Sequence, residues 1–114
     1  MDIVALNFEL TRPLIRHTVR RVRRAIAPAG KKAAGVMVRL RDVNGPRGGV
    51  DMGCRIVVWL RGRGAVIVDA VDGNLYTAVD LAAAKLKEAV RRRLKRRRTL
   101  GREFAHRRLR RRAA

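Results

Sequence analysis

Residues 54–90, CRIVVWLRGRGAVIVDAVDGNLYTAVDLAAAKLKEAV, change hydrophobic period halfway along, and that change dictates the architecture. Cys54, Ile56, Val58 and Leu60 fall on one side of an alternating segment, with Arg55, Val57, Trp59 and Arg61 on the other. Period-2 alternation is the mark of a strand. Gly62-Arg63-Gly64 makes a tight turn, and Ala65 to Ala70 returns as the next strand. From Leu75 the apolar residues recur at helical spacing, as Leu75, Val79, Ala82, Ala83, Leu86 and Val90. Asp72 or Asn74 can cap that helix.

Upstream, Val36, Val38 and Leu40 alternate with Met37, Arg39 and Arg41, which predicts a strand antiparallel to the one at 54–61. The Gly-rich stretch Asn44 to Gly49 is the loop between them. Before it, Thr11 and Pro13 open a helix with an apolar stripe of Ile15, Val19, Val22 and Ile26, ended by Pro28-Ala29-Gly30. At the front, Val4, Leu6, Phe8 and Leu10 alternate with Ala5, Asn7 and Glu9, predicting a strand over 4–10 with the first set buried. The order is βαβββα. This is an α+β domain: a four-stranded sheet with two helices packed on one face, like a double-stranded-RNA-binding domain in outline, plus a basic C-terminal tail. After Leu94 the stripe fails, because Arg97 falls in the middle of the buried face, so the last helix must leave the body or stop. The folded domain is expected over 1–98 and the Arg-rich tail over 99–114.

The chain has 114 residues, enough for one domain with one modest core. Its 29 Lys+Arg against 9 Asp+Glu give a net charge of +20, alongside a globular hydrophobic share of 47%. The charge is concentrated. From Thr11 to Lys32 there are eight cations and no acid, and from Arg91 to Ala114 there are thirteen cations against Glu103 alone. Such a body repels itself unless a polyanion neutralises it, so nucleic acid is the leading partner and an anionic membrane surface the runner-up. Aromatic anchors for a membrane are scarce, and no apolar stretch reaches spanning length, so no membrane association is expected. Nor does a cationic leader with an apolar run open the chain, which predicts a cytoplasmic protein.

Catalytic and metal chemistry find little support. The histidines, His17 and His106, are far apart, and the single Cys54 shares a strand face with Ile56 and Val58, the setting of a buried structural thiol. One Cys and two distant His do not make a zinc site. The Gly clusters lack the Gly-Lys-Ser/Thr ending of a phosphate loop. No enzyme activity, small-molecule substrate, cofactor or metal is expected. Trp59 shares a face with Arg55 and Arg61, but aromatics are too few for an RRM-type stacking sheet.

The basic helices are the informative feature. On the first helix Arg16, Arg20, Arg23 and Arg24 fall on one flank and Arg21 on the other; Asp80 sits early in the last helix, where it favours the dipole and offsets nearby arginines. On the last helix Lys85, Arg92 and Arg96 line one flank of the stripe and Lys87, Arg91, Lys95 and Arg98 the other. Two such helices side by side merge their flanks into one cationic surface, suited to phosphates and nucleic-acid shape.

The βαβββα order, with Asp72-Gly73-Asn74-Leu75-Tyr76-Thr77-Ala78-Val79-Asp80 followed by Lys85-Leu86, resembles the ribosome hibernation-promoting factors, also called ribosome-associated inhibitors or sigma-54 modulation proteins. Asp42 to Gly49 with Cys54-Arg55-Ile56 is similar to a variant within that family, and the likeness covers about residues 3–98. The resemblance implies a small-ribosomal-subunit binder that occupies the mRNA and tRNA channel around the A and P sites and silences translation by occlusion. It carries Lys85 over as an rRNA contact and places Arg92 near a further basic position, with mainly structural roles for Tyr76 and Asp80. It also implies a short form, lacking the domain by which long members pair ribosomes, and a monomer off the ribosome. The candidate RNA-binding residues are therefore Arg16, Arg20, Arg23, Arg24, Lys85, Arg91, Arg92, Lys95 and Arg96. A general double-stranded RNA or DNA binder acting through phosphates is the alternative.

Overall fold

The computed structural model describes residues 1–43 and 51–113, with side chains of the last helix described as far as Lys95. The chain runs β1 (Asp2–Leu6), α1 (Arg12–Ile26), a 3₁₀ segment (Ala27–Lys32), β2 (Ala33–Asp42), β3 (Met52–Leu60), β4 (Gly64–Asp72) and α2 (Leu75–Ala113). The expected α+β order is the observed one. The sheet order is β1-β2-β3-β4, with β1 parallel to β2 and the other pairs antiparallel. A parallel pair needs a crossover, and α1 is that crossover. The loop read over 44–49, with Arg47, lies outside the described residues.

The inward sheet face is Val38 and Leu40 of β2, Cys54, Ile56, Val58 and Leu60 of β3, and Val66, Val68 and Ala70 of β4. Onto it pack Leu14, Val22 and Ala25 from α1 and Ala78, Val79, Ala82, Ala83, Leu86 and Val90 from α2. The α2 stripe matches the sequence reading, with Ala78 added. A fully buried leucine such as Leu86 contributes about 1.5–3 kcal/mol by leaving water. Asn74 is the cap: its Oδ1 accepts from the N–H groups of Tyr76 (2.8 Å) and Thr77 (3.3 Å). Asp72 supports it, its Oδ2 accepting from Asn74 N at 2.9 Å.

The first strand is shorter than read and its faces are reversed. Ile3 and Ala5 point inward, while Val4 and Leu6 are more than 40% exposed. Asn7 is the cause: its φ of 70° is left-handed, which ends the strand and shifts the alternation by one, so that Phe8 and Leu10 rejoin the core. In the first half of α1 the stripe is likewise displaced by one residue, about 100°, whereas Val22 is buried as read and Ile26 packs against the core. Leu14, Thr18, Val22 and Ala25 are buried, whereas Ile15 is 36% exposed. Thr18 tolerates full burial because its hydroxyl donates to Leu14 O at 2.8 Å, and Thr11 caps the helix by accepting from Leu14 N.

Past Leu94, α2 neither stops nor stays on the sheet. Its 39 residues, about 58 Å of helix, continue through Ala113, so the stretch read as a tail has a helical backbone.

Burial, reinforced by the charge of Asp69, pushes the Cys54 thiol up to about 12. The folded state therefore holds a neutral thiol, while the unfolded chain ionises from about pH 8.5. This contribution to stability is complete below that pH and is lost as pH rises towards 12. Native protein at pH 8 should leave a thiol-titrating disulfide reagent unreacted until denaturant unfolds it; rapid native reaction would refute the burial. Leu14→Ala should cost about 2–5 kcal/mol in urea titration and Ile15→Ala under about 1 kcal/mol, the reverse of what the sequence-derived stripe requires.

Candidate nucleic-acid interface

All the candidate cations with described side chains are exposed, but they belong to three places rather than one. Arg16, Arg20 and Arg23 lie on the outer face of α1, where with Ile15 and Val19 they line a shallow recess of about 470 Å³. The apolar pair left out of the core by the rotation of α1 thus becomes part of this surface.

Arg24 turns towards α2. With Arg21 and Lys87 it surrounds a recess of about 230 Å³ between the helices, lined otherwise by Ala25, Ala83 and Ala84. Three alanines leave room where larger side chains would close the seam. Arg21 and Lys87 were not among the sequence candidates. The signal for them was the alanine run facing Ala25, which becomes readable only once the helix pairing is known.

The third group lies along the outer parts of α2. Arg91 and Arg92 flank Glu88, at 3.9 and 3.4 Å, so one carboxylate tempers this end of the surface. Lys85 Nζ donates to Asp69 O on the free edge of β4 at 2.8 Å. An ammonium has three donors, so this bond leaves Lys85 able to meet a phosphate as well. Lys95 is exposed, and the side chain of Arg96 lies outside the described residues. Arg93 is engaged elsewhere: its Nη1 donates to Arg63 O (2.7 Å) and Ala65 O (3.2 Å), clamping α2 to the β3–β4 turn. Lys85 and Arg93 together cover two carbonyls of the β4 edge, which blunts it against pairing with another chain.

Asp80 fixes the two helices relative to one another. Its Oδ1 lies 2.7 Å from His17 Nε2 and 2.9 Å from Arg21 Nε. A carboxylate can only accept, so the imidazole carries a proton on Nε2. Arg21 Nε is out of hydrogen-bond alignment and serves as an ion pair. The Tyr76 ring meets His17 edge-on, with centroids 5.1 Å apart. The offsetting role read for Asp80 and the structural role carried to Tyr76 are both visible in this clasp. Among the described residues no cluster of three or more His, Cys, Asp or Glu could hold a metal, and no helix is long and apolar enough to cross a membrane.

A mixed four-stranded sheet backed on one side by two arginine-rich helices defines a class of small, basic α+β domain. Residues 1–98 match the family described as Sigma 54 modulation protein / S30EA ribosomal protein, and the chain belongs to that family of ribosome-associated modulation factors. The fold is similar to that of a ribosomal subunit interface protein from Coxiella burnetii, with TM-score 0.69 at 16% identity, covering 80% of this chain and 92% of that one. It is also similar to the N-terminal domain of Protein Y from Thermus thermophilus, with TM-score 0.61 at 24% identity, covering 80% of this chain and 98% of the other. No curated protein matches.

Asp80→Ala should lower stability by about 1 kcal/mol, the scale of a partly exposed ion-pair cluster, and Tm by roughly 4–8 °C. An unchanged Tm would mean that the clasp does not hold the helices.

Proposed function

We propose that the chain is a ribosome hibernation factor that docks its helical layer on rRNA of the small subunit. It occupies the mRNA and tRNA channel around the A and P sites and inhibits translation by steric occlusion. The observation that carries this reading is the exposure of three groups of cations, Arg16, Arg20 and Arg23, then Arg24 and Lys87, then Arg91 and Arg92, across the two-helix layer of a chain that belongs to a ribosome-associated family. Arginine suits the role, since its planar fork meets phosphate oxygens two at a time.

In this reading Lys85 and Lys95 are further phosphate contacts, as is Arg96. The protein works in the cytoplasm as a monomer, with no reaction, cofactor or small-molecule substrate. The family match ends at residue 98, which supports a division into a 1–98 ribosome-binding domain and a 99–114 extension lying along the mRNA path or rRNA. General duplex binding is the competing outcome.

Co-sedimentation with separated ribosomal subunits, with free duplex RNA as competitor, tests the proposal. Saturable binding to the small subunit at about one copy, resistant to the duplex, is expected; graded binding to both subunits, erased by the duplex, would leave a generic binder. Replacing Arg16, Arg20 and Arg23 with Ala should weaken small-subunit binding and reduce its salt slope by about 3, one per phosphate contact. An unchanged slope would place the contact surface elsewhere.

A further inference from the structure

Among the described residues no element packs over the sheet face turned away from the helices, where Val57 is shielded by its neighbours on the face while Trp59 and Ile67 are exposed, and this face is built around a different chemistry. The strand register lays its outward residues in rows: Gly35, Trp59 and Ala65; then Asp2, Met37, Val57 and Ile67; then Val4, Arg39, Arg55 and Asp69. Arg39 and Arg55 are directly opposed across β2 and β3. Like charges so placed destabilise a sheet. Asp69 relieves only Arg55, with Oδ1 2.9 Å from its Nε, and Arg39 is exposed and pairs with no carboxylate among the described residues. That arrangement calls for an external anion.

Trp59 supplies the second feature. A Cβ at Gly35 would lie 3.3 Å from Cε3 of the indole, so the ring packs closely on the β2 backbone, and a larger residue there would push it outward by a few tenths of an ångström. The ring remains 44% exposed. Trp59 and Arg55 lie four residues apart on one strand, about 13 Å, a span of about four nucleotides at stacked spacing.

We propose that this open face binds single-stranded RNA, one base stacking on Trp59 and the backbone phosphates meeting Arg39 and Arg55. A second copy of the chain is disfavoured by the +20 charge each would bring. An acidic protein segment would satisfy the arginines but has no use for an open indole face beside them. The site lies on the opposite side of the sheet from the helical layer and stands whether or not that layer meets the ribosome.

Trp59 is the only tryptophan, so its fluorescence reports this face alone. The isolated protein is titrated with a single-stranded ten-nucleotide oligoadenylate, a duplex of the same length and poly-glutamate at about 0.1 M salt, and binding is followed in parallel by anisotropy of the labelled nucleic acids. Oligoadenylate should quench Trp59 saturably, whereas the duplex, held by the helices, should bind without quenching. Trp59→Leu, a change at a partly exposed position outside the core, should weaken the single-strand binding about five- to a hundredfold. Arg39→Ala with Arg55→Ala should weaken the quenching titration about tenfold or more while leaving duplex binding intact. Oligoadenylate that binds without changing Trp59 emission, or fails to bind, overturns the proposal. Equal quenching by poly-glutamate at equal concentration also overturns it, in favour of an acidic protein partner.

Discussion

Two helices rich in arginine lie side by side on one face of the sheet, and the carboxylate of Asp80 at their seam makes that arrangement tenable. Like charges in one layer push the helices apart, while the apolar stripes beneath draw both to the same sheet. Asp80 receives His17 and Arg21 from α1 within 3 Å while standing on α2, so the repulsion is answered at the seam itself. Ala25, Ala83 and Ala84 then allow the helices to sit close without closing the recess between them. Arg16, Arg20 and Arg23 on the outer face of α1 have no carboxylate partner among the described residues and face solvent, which is the electrostatic condition for meeting a polyanion.

The same economy ties α2 to the sheet. Lys85 and Arg93, eight residues apart on the helix, bond carbonyls of Asp69 and Ala65 along the exposed edge of β4. Two cations thereby hold the helix in register and protect the edge. The helical layer is thus tied together at its seam and to the sheet at its edge. Its counterpart on the other side of the sheet, with Trp59 laid on Gly35, is flat and part apolar, a surface for unstacked bases.

The last helix and the inward faces of β2 and β3 were legible because their apolar residues repeat without interruption. Leu86 and Val90, or Ile56 and Val58, have no competing phase. The first strand was not, because a single left-handed residue, Asn7, reverses the alternation, and asparagine carries no apolar signal that would betray it. The first helix misled for a related reason. Thr18 is buried with its hydroxyl satisfied inside the helix, while the more apolar Ile15 is exposed and Val19 only half-buried. For the basic surface, helical spacing puts Arg16, Arg20 and Arg23 on one flank of α1, and the three do line one recess. It could not separate Arg24 from them or add Arg21 and Lys87, since those depend on which flank of α1 meets α2.

The account turns on the helical layer being the surface that meets the small subunit. Arginine modification read by mass spectrometry, on the free protein and on its complex with the small subunit, measures this residue by residue. Arg16, Arg20, Arg23 and Arg24 should become strongly protected in the complex, and Arg63, in the β3–β4 turn, should change little. Helical arginines as reactive in the complex as in the free protein would contradict the account.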